Sequence, residues 1–298
     1  MTLIGAGASG RVVVLSLIRH LCWLGQQPRS NCAVRAFQDE YLAFLVHHDL
    51  AFRRTLPLEK NMKLILLLVI ASLATLRAEV VEESIESAGV KFRVVRLAPT
   101  QVQLAWKDDS GVPYRSFDRV QAAFSQQGKS VKFLMNAGIF EPGGIPSGLH
   151  MEGGKALRPL NLADAPGNFF LKPNGVCSVA PGEPFIGNCA TWKATGKETW
   201  AIQSGPLLLI DGHRHPAFRE GSSSKLLRNG VGVDKQGRFV FAITDKGQRV
   251  NFWDFAGLFL KLGCKDALFL DGGISKMAVN PGQSIQSNQF GAVLVVAE

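Results

Sequence analysis

The sequence predicts an α+β fold: a single domain of largely antiparallel and mixed β-sheet with a few packed helices, over residues 79–298. Three observations predict it. From Val90 onward, short runs of alternating apolar and polar residues are separated by turn residues, as half-buried antiparallel strands require. Two longer segments place apolar residues at helical spacing, and each stops at a glycine. At 298 residues and 46% hydrophobic, the chain is long and apolar enough to bury a full core.

The elements follow in order. Val90, Phe92 and Val94 alternate with Lys91 and Arg93, and Val102, Leu104 and Trp106 alternate with Gln103 and Ala105. Ser116 is placed to cap a helix whose Phe117, Val120 and Phe124 share one face and which Gly128 ends. A strand from Val131 to Met135 runs into Asn136-Ala137-Gly138-Ile139-Phe140. The passage from Glu141 to Gly187 is rich in glycine and proline, and reads as a loop-built surface around a site. Strands are predicted at Thr199–Gln203, Leu207–Ile210, Gly230–Val233 and Arg238–Thr244, the last two joined by a turn over Asp234-Lys235-Gln236-Gly237. A second helix, Asn251 to Leu262, buries Phe252, Phe255, Ala256 and Phe259 and stops at Gly263. Strands at Ala267–Leu270 and Ala292–Val296 close the domain.

The N-terminal part reads differently. Lys60 and Lys63 precede an uncharged apolar run, Leu64 to Leu76, about as long as a signal-peptide core and short of the ~20 residues a membrane span needs. Small residues for cleavage follow at Ser72-Leu73-Ala74 and Ala78. The reading is a signal peptide over residues 62–78 starting at Met62, with residues 1–61 an upstream extension from a mis-chosen start. Export to the periplasm or beyond is therefore expected, with no stable membrane span after processing. Gly5-Ala6-Gly7-Ala8-Ser9-Gly10 matches a dinucleotide fingerprint. Only Met1 to Ile4 precede it, no βαβ unit follows, and Asp39 and Glu40 do not end an apolar strand. A nucleotide-dependent oxidoreductase would rest on those glycines alone.

The net charge of +9 divides into +5 over residues 1–78 and +4 over the rest. No Lys/Arg block interleaved with aromatics occurs, which argues against nucleic acid as a partner. Cys177 and Cys189 bracket a Pro/Gly-rich loop and are placed to form a disulfide in an oxidising compartment, with Cys264 free. No Cys-x-x-Cys spacing supports a thiolate zinc site. His213 and His215 have the spacing to share an ion on a strand, but Asp211-Gly212 and Pro216 make the segment a turn without a third ligand.

Four polar-glycine clusters adjoin strands: Asn136-Ala137-Gly138, Gln203-Ser204-Gly205-Pro206, Arg228-Asn229-Gly230-Val231-Gly232 and Asp271-Gly272-Gly273-Ile274-Ser275. Together they offer a guanidinium (Arg228), amide and hydroxyl groups (Asn136, Gln203, Ser204, Asn229, Ser275), glycine N–H groups and one carboxylate, Asp271. That inventory suits an anionic, polyhydroxylated ligand: a guanidinium forks onto phosphate oxygens, glycine amides form an anion nest, and amides read sugar hydroxyls. A serine triad finds little support, because Ser204 lacks a nucleophile-elbow pattern.

In this order, and with Gly148-Leu149, Gly167-Asn168-Phe169-Phe170, Pro173-Asn174-Gly175, Val250-Asn251-Phe252 and Leu270-Asp271-Gly272-Gly273, the motifs resemble the phosphodiester glycosidase family over roughly Lys91 to Val296. The resemblance implies hydrolysis of a sugar 1-phosphodiester, of the N-acetylglucosamine type, at the anomeric carbon. It points to Asn136, Gly138, Gln203, Ser204, Arg228, Asn229, Asp271, Gly272 and Ser275. Ile274 departs from a run of three glycines and narrows the turn. Phosphate is a good leaving group, so the tasks left are to hold it, support an oxocarbenium-like sugar and activate water. Arg228 and the amides near Gly138 or Gly205 are assigned to phosphate, and Asp271 is the essential carboxylate, as base or nucleophile. Gly273 lies in the same turn, and Asn136 joins Arg228 and Asp271 as a catalytic candidate. Glu141, Glu152 and Asp254 are candidate partner carboxylates. The sequence establishes no cofactor; a divalent cation on Asp271 and loop carbonyls is compatible with it. The rival reading is an extracytoplasmic module that binds phosphosugars or exopolysaccharide without turnover.

Overall fold

A computed structural model describes residues 79–287 and 289–298. The proposed extension, the signal peptide, the leader glycines, Cys22 and Cys32 lie outside the described residues. In chain order the strands begin with β1 (Glu82–Ser87), β2 (Val90–Leu97) and β3 (Gln103–Ala105), followed by helix α1 (Phe117–Gln126) and β4 (Val131–Asn136). Short strands β5 (Phe140–Glu141), β6 (Ile145–Pro146), β7 (His150–Glu152) and β8 (Lys155–Arg158) come next. Then follow β9 (Gly175–Ala180), β10 (Glu183–Asn188), β11 (Trp200–Ser204), β12 (Leu207–Ile210) and β13 (His213–Arg214). The chain ends with β14 (Asn229–Val233), β15 (Phe239–Thr244), helix α2 (Phe252–Lys261), β16 (Ala267–Asp271), β17 (Met277–Val279) and β18 (Val293–Ala297).

Every pairing among these strands is antiparallel. A seven-stranded sheet runs β1-β2-β15-β14-β16-β12-β13, a five-stranded sheet β10-β9-β11-β7-β8, and a four-stranded sheet β17-β4-β18-β3, with β5 and β6 a separate hairpin. The fold class is α+β, as the alternation predicts.

Strand alternation sorts the apolar residues of the large sheet onto two faces. Phe92, Val94, Val240, Ala242 and Phe269 meet Phe255, Ala256, Leu258 and Phe259 of α2. The opposite face (Val95, Phe239, Phe241, Leu268, Leu270) packs on Phe133 and Met135 of the four-stranded sheet and on Trp200 and Ile202 of the five-stranded one. The far side of the four-stranded sheet, through Leu134, Val293 and Val295, carries Phe117, Val120 and Phe124 of α1. Each such buried aromatic or aliphatic side chain contributes about 1.5–3 kcal/mol relative to exposure.

Three sequence expectations are corrected. The passage from Glu141 to Gly187 is loop only over residues 159–174, with hairpins on either side. Its strands are two to six residues long and are broken by left-handed glycines at Gly143, Gly144, Gly153 and Gly154, so no periodic run is long enough to register. Ser116 is the N-cap residue of α1 but its side chain makes no capping bond; Ser287 Oγ accepts from Phe117 N at 2.8 Å instead. Cys177 and Cys189 are free and buried. Cys177 stands opposite Ile186 within the main core, and the Cys189 thiol donates to Asn174 Oδ1 at 2.6 Å in a different cluster.

Gly230 and Gly232 sit under α2, with Val231 on the opposite face, and the run is a paired strand rather than a nest. A Cβ on Gly232 would lie 2.7 Å from Cys264 Sγ and 2.8 Å from Phe259 Cδ1. Gly232→Ala is therefore expected to overpack this contact and lower unfolding stability by about 1–3 kcal/mol, read by urea denaturation of the full chain.

Candidate active site

The polar ends of several strands converge. Asn136 ends β4, Ser204 ends β11, Asp271 ends β16, and Asn229 begins the antiparallel β14. Asn229 pairs with Asp271 and Gly230 with Phe269, so the bulge at Leu270 turns the strand end just where Asp271 must be presented.

A hydrogen-bonded node joins these ends. Asp271 N donates to Asn229 Oδ1 at 2.8 Å, and Asn229 Nδ2 donates to Asn136 O at 3.2 Å and Asn136 Oδ1 at 3.0 Å. Lys276 N donates to Asn136 Oδ1 at 2.8 Å. Ser204 Oγ donates to Leu270 O at 2.8 Å and so ties β11 to the base of the same corner. The turn is closed from within: Gly272 N donates to Asp271 Oδ1 at 2.6 Å, and Ser275 Oγ reaches Asp271 O at 2.9 Å and Gly272 O at 2.6 Å. Gly273 faces open space, whereas Ile274 packs against the α1 cluster with Tyr114 and Ile285.

Burial pushes the Asp271 carboxyl up to about 6, against only the Gly272 N–H bond, and no cation offsets it. Arg228 is the mirror case. Its guanidinium is 1% exposed, with Nε donating to Val250 O at 2.9 Å and Nη2 to Ser224 O at 3.2 Å. Its Cζ lies 3.5 Å from the Phe252 ring centre and 5.5 Å from that of Phe269. Nη1 is buried without a partner, and burial lowers the group from 12.5 to about 10. Neither Asp234, which pairs with Arg238, nor Glu220 answers it. A Cβ on Gly272 would lie 3.6 Å from Phe269 Cζ, so the guanidinium and the Asp271 corner abut one ring. Asn136 Nδ2 is a second buried nitrogen without a partner.

The remaining sequence candidates fall into place around this node. Gln203 Oε1 accepts from Leu149 N at 3.1 Å and Asn161 N at 2.9 Å, and Nε2 donates to Asn161 O at 2.6 Å. That side chain braces the wall. Gly138 packs on Ser204, and a Cβ there would lie 2.9 Å from Gln203 O; one on Gly205 would lie 2.5 Å from Asn174 Cβ. Both glycines permit close packing of the walls. The three candidate partner carboxylates are engaged elsewhere: Glu141 accepts from Ser147 Oγ, Glu152 bonds His150 Nε2, and Asp254 bonds Asn251 at the N-terminus of α2. His213 is exposed while His215 is buried against Phe218. Among the described residues, no group of three or more His, Cys, Asp or Glu converges on a metal position, and no helix is long and apolar enough to cross a membrane.

Sequence reasoning missed Lys276, whose backbone N–H fixes the Asn136 amide and which carried no signal. It also missed the role of Phe252 under Arg228, although Val250-Asn251-Phe252 stood among the matched motifs.

The model of the family described as phosphodiester glycosidase matches residues 129–296, which contain every residue of the node. The chain belongs to the phosphodiester glycosidase family. Uncharacterized protein YigE of Escherichia coli (strain K12) is 36% identical over 183 residues, 61% of this chain and 71% of that protein. The zebrafish N-acetylglucosamine-1-phosphodiester alpha-N-acetylglucosaminidase catalytic domain, auto-inhibited by pro-peptide, superposes with a TM-score of 0.54 at 15% identity, covering 74% of this chain and 82% of that one. A hypothetical protein from Synechocystis gives a TM-score of 0.45 at 13% identity, covering 72% and 61%. The likeness to the zebrafish domain is one of fold.

The raised carboxyl has a consequence for stability. Folded Asp271 holds its proton up to about pH 6, while the unfolded carboxyl releases it near 3.8, so stability falls as pH rises between those values. Asp271→Asn removes that penalty and keeps an oxygen for Gly272 N. It should raise unfolding stability by up to about 3 kcal/mol at pH 8 and by almost nothing below pH 4, read by urea denaturation at both.

Proposed function

We propose that this phosphodiester glycosidase-family protein is a hydrolase of sugar 1-phosphodiesters, of the N-acetylglucosamine-1-phosphodiester type. Water adds to the anomeric carbon, the bond from that carbon to the phosphate oxygen breaks with its electrons leaving on the phosphate, and free sugar and a phosphomonoester result. The observation that carries the reading is Arg228: a buried guanidinium, stacked on Phe252, with Nη1 unfilled and no carboxylate to answer it. Such a group is stabilised by an anion, and a phosphodiester supplies one.

Asp271 supplies the carboxylate. It is largely ionised above about pH 6, and it either takes the proton of the attacking water or adds to the anomeric carbon itself. Asn136 Nδ2, buried without a partner, supplies an N–H donor. Because Nη1 and Nδ2 are shielded from bulk water, ligand binding has to part the residues over them. Position outside the cytoplasm belongs to the same proposal, supported by the apolar run after Met62. A mature N-terminus near Thr75 or Glu79 by mass spectrometry supports it, and an intact Met1 rejects it.

The test is release of N-acetylglucosamine from its 1-phosphodiester by the full chain. The wild type should turn over, Asp271→Asn should lose at least about 100-fold in kcat, and Arg228→Met should lose mainly in kcat/KM. Tight binding without release, across several sugars and with divalent cations added, would instead make the protein a binding module.

A further inference from the structure

Asn229 stands where two sheets meet. It belongs to β14 of the seven-stranded sheet, and its amide crosses to Asn136 at the end of β4 in the four-stranded sheet. The side chain is fully buried, and each of its polar atoms has a partner within the protein: Oδ1 takes Asp271 N, and Nδ2 serves both Asn136 oxygens. It has no group left with which to read a ligand.

Its effect on Asn136 is specific. Asn136 Oδ1 receives two donors, Asn229 Nδ2 and Lys276 N, so a flipped Asn136 amide would set its NH2 against both. The amide is thereby held with Nδ2 turned away from them, buried and without an acceptor. The same Asn229 side chain holds the backbone from which Asp271 projects.

We infer that Asn229 is a positioning residue, not a substrate contact: it orients the free amide nitrogen of Asn136 and the backbone of Asp271 together. The inference rests on the active-site reading above and corrects the expectation that Asn229 binds substrate directly. Displacement of a reacting group by about 1 Å costs on the order of 100-fold in rate, which sets the expected scale.

Two variants of the full chain test it. Asn229→Ala should lower kcat by about 10- to 100-fold with KM changed by no more than about twofold, since ligand contacts remain. Asn229→Asp keeps an acceptor for Asp271 N but sets a carboxylate oxygen against the two Asn136 oxygens. Protonation of that carboxyl restores a donor there, so the deficit of Asn229→Asp relative to wild type should shrink as pH falls. A second readout needs no turnover: carbon NMR titration should show the Asp271 midpoint raised by about one pH unit or more in Asn229→Asp, because a like charge has been placed beside it. A kcat unchanged in a folded Asn229→Ala, a pH-independent deficit in Asn229→Asp, or an unmoved Asp271 midpoint each overturns the inference. If the wild type releases no sugar, the functional reading fails on its own, and the NMR titration alone decides the role of Asn229.

Discussion

A guanidinium buried without a carboxylate is the constraint around which this domain is arranged. Removing a charge from water costs several kcal/mol even after relaxation. Here the protein offsets that cost with two backbone carbonyls, Val250 O and Ser224 O, and with the face of Phe252. It stops short of offsetting it completely, because Nη1 is left unfilled. Asp271 is the obvious remedy, since its neighbour Gly272 approaches the same Phe269 ring and its carboxyl is itself held off its ordinary range by burial. No ion pair forms between them. Joined, each would return toward its usual pKa and the site would be chemically quiet. Held apart, a cation and an acid each retain an unmet demand, which a ligand carrying phosphate and an attackable carbon would satisfy.

Keeping them apart is the work of the strand ends. Antiparallel pairing places the start of β14 beside the end of β16, and the bulge at Leu270 shifts that end by one residue. Ser204 and Asn229 then fasten the corner to β11 and β4, on two other sheets. The layers behind are ordinary hydrophobic packing, α2 on one face and the smaller sheets on the other. Glycines at 230 and 232 let α2 approach closely, and those at 138 and 205 let the walls close. These four glycines therefore serve the rigidity of the frame.

Much of this was legible in the sequence, for identifiable reasons. Strands such as Val90–Leu97 and helices such as Phe252–Lys261 are long or periodic enough to declare themselves, and Asp271 at the end of an apolar run was readable as a presented carboxylate. The hairpins between Phe140 and Asn188 were not, because two- to six-residue strands give too few repeats of a two-residue period. Residue types were read better than residue tasks. Asn136, Arg228, Asn229 and Asp271 do assemble, but Gln203 and Asn229 face protein partners, and a sequence does not say which hydrogen bonds a side chain has already made. Lys276 acts through its backbone N–H, a role that any residue type other than proline can fill.

The most direct measurement is calorimetric binding of N-acetylglucosamine 1-phosphate to the full-length Asp271→Asn protein, beside N-acetylglucosamine and with Arg228→Met added in a second sample. The account predicts that the phosphorylated sugar binds, that the uncharged sugar binds at least about 100-fold more weakly, and that losing Arg228 abolishes the difference. Equal affinity for the two sugars, or a preference for phosphate that survives Arg228→Met in a folded protein, would contradict it.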